Sequence, residues 1–416
     1  MRNKLNTIFN HNTTKKSVLG LLFIVMLFAI LRDTVTSKHD FSGYVIAGEL
    51  AWEHQDIYSH HLNTWPPSFS VISILFYHIN SISSYATQFF WLTGFTMCYL
   101  LCFRFILDIF FDKKFSISLK PSTPDHITLM SWTFIIPFIL GLRIIFEEIV
   151  NIQINIYLLT LCVLALKLAL KNKNSLAGFL LAITIACKVY TLILLPLIFF
   201  RKKFKFGGYT LLWLGVILAG VFLYFGYDDA IKHHITWWQK DVITKNIFDH
   251  GNQSLGSFIT GLVSNVERLE GIRYNIADIS LSNATIVGYA TITLLAAITG
   301  IVFLYTYSYS KALEWQYIIT MSFIPLFSPI SWKYYYVFLM PLTLILYVIV
   351  QSKQKYKLYY YVPLLLITLS TELVVGSRFS NVLEAYGIIT LNSLALILFS
   401  LYTFKTKQFS TLKKHQ

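Results

Sequence analysis

The sequence predicts an all-α polytopic membrane protein, a bundle of about twelve apolar segments with two external loops. Of its 416 residues 56% are hydrophobic and only 13% charged, and the mean hydropathy of +0.60 exceeds what a water-soluble domain carries. Apolar runs recur along almost the whole chain, many of them near the ~20 residues a helix needs to cross the hydrocarbon core. The cation excess, 34 Lys and Arg against 20 Asp and Glu, gathers in short connectors such as 201–205 and 353–357. That distribution marks cytoplasmic loops and excludes a nucleic-acid footprint.

Apolar runs read against polar connectors give segments 17–34, 66–81, 86–111, 126–143, 152–170, 176–200, 207–226, 284–306, 315–330, 334–350, 358–375 and 385–404. The first follows a basic leader, residues 1–16, without a small-residue cleavage site, so it reads as a retained helix. Residues 17–404 then form one integral membrane domain between a cytoplasmic leader and a cytoplasmic basic tail, 405–416. Both termini are placed inside, and the two long connectors, 36–65 and 227–283, fall outside. Strict alternation would also put Lys113, Lys114, Lys171 and Lys173 outside, against the charge rule. The conflict disappears if 66–81, which opens on Pro66 and Pro67, is re-entrant and 176–200 is broken near Lys188. Broken helices at membrane depth are tolerated where they line a cavity. No internal repeat is visible, so a transporter-type duplication has no support in the sequence.

The first external loop opens with Asp40, after which Phe41, Tyr44, Val45, Gly48 and Trp52 recur at helical spacing. This predicts a helix in the membrane interface with its aromatic face down and Asp40 at its N-terminus. Two readings of Asp40 stand side by side. It is either an N-cap or a general base that takes the proton of an attacking hydroxyl. With a phosphate as leaving group one carboxylate suffices, and the paired acids of glycoside hydrolysis are not needed. Trp65, Pro66 and Pro67 fix the chain's re-entry into the membrane.

Lys188 stands twelve residues into a 25-residue apolar run, where a central lysine costs about 2.5–3.5 kcal/mol on insertion scales. A donor phosphate would offset that cost, and so would pairing with a carboxylate such as Glu147 or snorkelling to the interface. Arg143 and Glu147 have the i to i+4 spacing of a helical ion pair. In the re-entrant topology they face outside with Gln153 and Asn155 as sugar contacts. Lys333 begins a tyrosine run, Tyr334 to Tyr336, that reads equally as an aromatic belt or as a ligand-contacting strip. The second loop carries Asn252 and Gln253 together with aromatic residues that suit a sugar-covering lid. Adjacent His233 and His234 cannot both face one metal from a helix, and no metal or cofactor is expected. Cys98, Cys102, Cys162 and Cys187 lie in apolar segments and read as packing residues.

Taken in order, several short motifs resemble glycosyltransferase family 87, the polyprenyl-phosphate-sugar-dependent membrane enzymes that include mycobacterial phosphatidylinositol-mannoside mannosyltransferases. They are Asp40 with Tyr44 and Ala47, then Tyr58, then Trp65-Pro66-Pro67, then Gln153 and Asn155. Lys188 with Tyr190 and the basic 201–203 connector follow, then 252–255, then 328–332 ending on Trp332. The resemblance implies a GT-C-like bundle in the bacterial plasma (inner) membrane and an inverting, metal-free hexosyl transfer on the non-cytoplasmic side. Asp40 would be the catalytic base, and Lys188, Lys333, Tyr58 and Trp65 donor contacts. Arg143, Glu147, Gln153, Asn155, Asn252, Gln253 and Trp332 would be sugar or acceptor contacts. The partners implied are a polyprenyl-phosphate-linked donor, with mannose suggested as its sugar, a lipid or glycan acceptor, and membrane lipids. Two positions depart from the family: Lys333 stands where members commonly have histidine, and no glycine precedes Gln153. The alternatives are a lipid or solute transporter or flippase, and a structural membrane subunit.

Overall fold

The computed structural model describes residues 13–18, 20, 21, 24, 40–243, 248, 251–269, 271 and 275–406. Most of the first apolar segment, the leader and the basic tail lie outside the described residues. The chain runs through α1 (Asp40–Trp52), α2 (Pro67–Ile82), α3 (Ser84–Phe111), β1 (Lys114–Ser116), β2 (His126–Thr128), α4 (Trp132–Leu140), α5 (Leu142–Val150), α6 (Asn155–Leu170) and α7 (Asn174–Cys187). It continues through α8 (Leu194–Phe200), α9 (Phe204–Phe225), α10 (Tyr227–Trp237), α11 (Leu255–Val263), α12 (Leu281–Tyr305), α13 (Ala312–Ser322), α14 (Ile324–Phe327) and α15 (Met340–Ser352). It ends with α16 (Lys357–Leu369), α17 (Glu372–Val375), α18 (Ser377–Ala385) and α19 (Ile388–Lys405).

Among the described residues, five helices are long and apolar enough to cross a membrane: α3, α9, α12, the stretch Lys333–Ser352 and α19. A sixth exists only if α5 and α6 count as one span bent by 117°. The expected dozen segments are therefore not a dozen membrane-length helices. Hydropathy reports burial, not helix continuity. Segment 126–143 opens as a strand, 315–330 breaks between α13 and α14, and 358–375 breaks between α16 and α17. The parallel β1–β2 pair, with Lys114 opposite His126, is a small departure from an all-α fold. The region 227–283 is also not all loop, since it contains α10, a π-helical turn over Trp238–Ile243, and α11.

The core runs through α3, α6, α13 and α15, where aromatic and branched side chains are fully enclosed. By contrast α9 and α12 leave most of their apolar surface exposed, as helices facing lipid should. The two long connectors cover one another. Ile57 and Tyr58 from the first pack with Ala230 of α10 and Phe225 of α9, Trp237 Nε1 donates to Thr64 O at 3.3 Å and Lys240 Nζ to Tyr58 O at 3.1 Å.

Helix α1 forms where the spacing placed it, with Asp40 as its first residue. Its apolar face does not lie on lipid. Phe41, Tyr44, Ala47, Gly48 and Ala51 are buried, whereas Trp52 is half exposed. The face packs on α2, and a Cβ on Gly48 would stand 2.1 Å from Ser73 O. Only a residue without a Cβ lets the two backbones approach so closely. Gly48→Ala is expected to force the helices apart and destabilise the protein by about 1–3 kcal/mol, as overpacking does. A thermal melt of the purified variant checks this.

Helix α7 ends where the sequence placed a break. Lys188 is extended, at φ −146 and ψ 112, and is followed by a 3-10 turn, Val189–Ile193, that leads into α8.

Candidate active site

A cavity of about 1010 Å³ is lined by Asp40, Trp65, Gln153, Lys188, Tyr334 and Tyr335 and also by Glu147, Asn151, Trp332, Lys333, Glu372 and Glu384. Three interruptions of helix bring these residues together. The start of α1 supplies Asp40, the bend between α5 and α6 supplies Gln153, and the break after α7 supplies Lys188. A fourth, the 3-10 helix Lys333–Leu339, supplies Lys333 and Tyr334. Such places free side chains from the helix surface and direct them inward, and non-helical backbone at membrane depth requires a cavity of this kind.

Gln153 is the joint of the site. Its Nε2 donates to Asp40 Oδ2, while its Oε1 accepts from Tyr44 OH at 3.1 Å and from Lys188 Nζ at 3.4 Å. Its backbone carbonyl accepts from Trp91 Nε1 at 3.3 Å. Burial pushes the Tyr44 hydroxyl well above the ordinary phenol range, and the Asp40 charge pushes it the same way, so Tyr44 stays a proton donor to Gln153. The residue before Gln153 is Ile152, with φ +47. That left-handed conformation costs a β-branched residue about 1–3 kcal/mol, which gives a physical reason for glycine at this step in the family pattern.

Asp40 Oδ2 also accepts from Tyr334 OH at 3.0 Å. Both hydrogen bonds reach the same oxygen, and among the described residues none reaches Oδ1. The side chain of Asp40 thus binds across the fold to α15's leading turn and the α5–α6 bend.

Lys188 is 5% exposed. Its ammonium donates to Asn155 Oδ1 at 2.9 Å and to Gln153 Oε1 at 3.4 Å, both neutral amide oxygens. The rings of Tyr335 and Tyr334 lie 4.9 and 5.8 Å away as cation–π partners. Among the described residues no carboxylate lies in ion-pair contact with it, so the expected alternative, pairing with Glu147, does not occur. Asn155 Oδ1 also accepts from Tyr190 OH, and Asn155 Nδ2 donates to the buried Glu148 at 3.1 Å.

The i to i+4 pair of Arg143 with Glu147 does not form either. Arg143 turns into the protein, where it pairs with Glu384 and donates to Ser370 and the Ile367 carbonyl. Glu147 pairs instead with Lys333 at 3.1 Å, and Lys333 also reaches Glu384 at 3.3 Å. Local spacing favoured the helical pair by only about 0.2–0.5 kcal/mol; a buried guanidinium needs a fully desolvated partner, and α18 provides one.

Of the other expected contacts, Trp65 and Trp332 line the cavity, whereas Tyr58, Arg143, Asn155, Asn252 and Gln253 do not. Tyr58 OH donates to Trp65 O at 2.7 Å and so sets that tryptophan. Asn252 and Gln253 tie the second long connector to the chain before Lys333. Asn252 Oδ1 accepts from Ser331 N at 3.0 Å, and Gln253 N donates to Ser331 O at 2.7 Å. The reading from sequence missed Glu384, Glu148 and the bond from Tyr334 to Asp40. A buried arginine that requires a counter-ion was the available signal for Glu384, since beyond residue 278 the chain carries only three acids, Glu314, Glu372 and Glu384.

The family model for glycosyltransferase family 87 matches residues 63–329, well over half of the chain. The matched stretch holds Gln153, Asn155 and Lys188; it begins after Asp40 and ends before Lys333. No curated protein and no solved structure matches the chain significantly. With apolar helices of membrane length and this match, the chain belongs to glycosyltransferase family 87 and is a membrane glycosyltransferase.

Proposed function

We propose that the protein transfers a hexose, mannose in the simplest case, from a polyprenyl-phosphate donor to a lipid or glycan hydroxyl, with inversion, on the non-cytoplasmic face of the bacterial inner membrane. Both termini are then cytoplasmic, and the connectors 36–65 and 227–283 cover the site from outside. The observation that carries this is the joining of Asp40 and Lys188 through the single side chain of Gln153, within one cavity.

In this reading the acceptor oxygen attacks the anomeric carbon as the bond from that carbon to the phosphate oxygen breaks. The bonding electron pair leaves with the phosphate, and the acceptor proton passes to Asp40. A phosphate leaves readily without protonation, so its developing charge is the larger demand. Lys188, with no carboxylate in contact among the described residues, is the group that meets it. Tyr44, Tyr334 and Gln153 hold the two charged groups in place before the substrate arrives.

The test is direct. The purified full-length protein in proteoliposomes, given a radiolabelled polyprenyl-phosphate hexose and a membrane lipid extract, is expected to yield a glycosylated product with inverted anomeric configuration. Movement of the donor across the bilayer without a covalent product would overturn the reading and favour a flippase.

A further inference from the structure

The cavity is electrostatically divided, and the two lysines that line it are not equivalent. Lys188 makes its hydrogen bonds to neutral amides, and Glu148 and Asp40 act on it only through space, so among the described residues no carboxylate occupies its ammonium. Lys333 is held between two carboxylates, at 3.1 Å from Glu147 and 3.3 Å from Glu384, and Glu384 is itself paired with Arg143. Two cations therefore meet two carboxylates in one connected cluster, which is neutral as a whole. Glu372, Asn151 and Asn381 line the same cavity beside it, adding a third carboxylate and two amides.

An incoming phosphate would find no uncompensated positive charge there and would meet carboxylates whose repulsion it cannot escape in a partly dry site. Hydroxyl groups fit it well. Each can donate to a carboxylate and accept from an ammonium or an amide, which is how polar side chains read a sugar ring without net charge. We infer that the Lys333–Glu147–Glu384 cluster is a subsite for an uncharged polyhydroxyl ring and takes no part in binding phosphate. The inference rests on the glycosyltransfer reading above and assigns Lys333 to a sugar ring in place of the donor phosphate. Lys333 and Glu147 side chains are each about one-fifth exposed, at 20% and 23%, so both remain open to a ligand.

The test uses the intrinsic fluorescence of the full-length protein, since Trp65, Trp237 and Trp332 all line the cavity. The probes are farnesyl phosphate, a short polyprenyl phosphate, and a neutral methyl hexoside. Lys333→Met alone would strand two carboxylates, so the charge-balanced pair Lys333→Met with Glu147→Gln is the informative variant; it leaves Arg143 and Glu384 matched. The double variant is expected to keep farnesyl phosphate affinity within about twofold and to weaken the hexoside about fivefold or more, the loss of one to two charge-assisted hydrogen bonds. Lys188→Met is expected to do the reverse. A double variant that loses phosphate affinity as far as Lys188→Met does, or that binds the hexoside unchanged, overturns the inference.

The ring can be that of the acceptor or that of the sugar being transferred. In the transfer assay a raised KM for acceptor with an unchanged KM for donor identifies the first, and the opposite split the second; either supports the subsite. Absence of any covalent product from the wild-type protein would instead sink the transfer reading, whatever the two probes show.

Discussion

Asp40→Asn is expected to lower the turnover of sugar transfer by about 10²–10⁴-fold, the range a positioned general base contributes, while leaving the KM for donor within about threefold. The substitution is nearly isosteric. Both native hydrogen bonds arrive at one oxygen, from Gln153 Nε2 and Tyr334 OH, and the amide oxygen of asparagine accepts both. Helix α1 stays fixed by the close approach of Gly48 to Ser73, far from the change. What asparagine cannot do is take a proton from the acceptor. The expected signature is an unchanged melting temperature, unchanged donor binding and a collapsed kcat. Near-normal turnover in a well-folded Asn variant would show that the base lies elsewhere.

How much of this could be read in the sequence follows from which forces are local. The break at Lys188 was legible because a lysine in the middle of an apolar run has few places to go, and an extended residue beside a cavity is one of them. Helix α1 and the position of Asp40 were legible from spacing, but its partner was not. Periodicity says that Tyr44, Ala47 and Gly48 share a face, without saying whether lipid or α2 covers it. The ion pairs misled for a related reason. Arg143 and Glu147 are neighbours along a helix, whereas Arg143 and Glu384 are 241 residues apart, and a preference of a few tenths of a kcal/mol between neighbours yields to burial of a charge. The pairing of Lys333 was illegible for the same reason: its two carboxylate partners come from α5 and α18, which only the folded chain brings beside it. The number of spanning helices was not legible because a hydropathy window does not register where α13 gives way to α14, or α5 to α6.

Lys188→Met separates the structural from the functional account of the buried lysine, because the two predict opposite signs. A lysine kept for stability should destabilise the protein when it is removed, by orphaning the groups it bonds. The amides it hydrogen-bonds are not orphaned, and the carboxylates that lose its charge, Asp40 and Glu148, feel it only through space. Asn155 Oδ1 still accepts from Tyr190 OH, and Gln153 Oε1 still accepts from Tyr44 OH. Methionine matches the aliphatic stem, can pack on the Tyr335 ring that the ammonium now faces, and removes the desolvation cost of a charge that is 5% exposed. The melting temperature is therefore expected to hold or rise. Turnover is expected to fall about 10²–10³-fold, the usual effect of deleting one group that stabilises developing charge in a water-poor site. Activity lost together with stability would return Lys188 to a structural role; activity retained at full stability would remove it from the chemistry and leave the departing phosphate without its counter-charge.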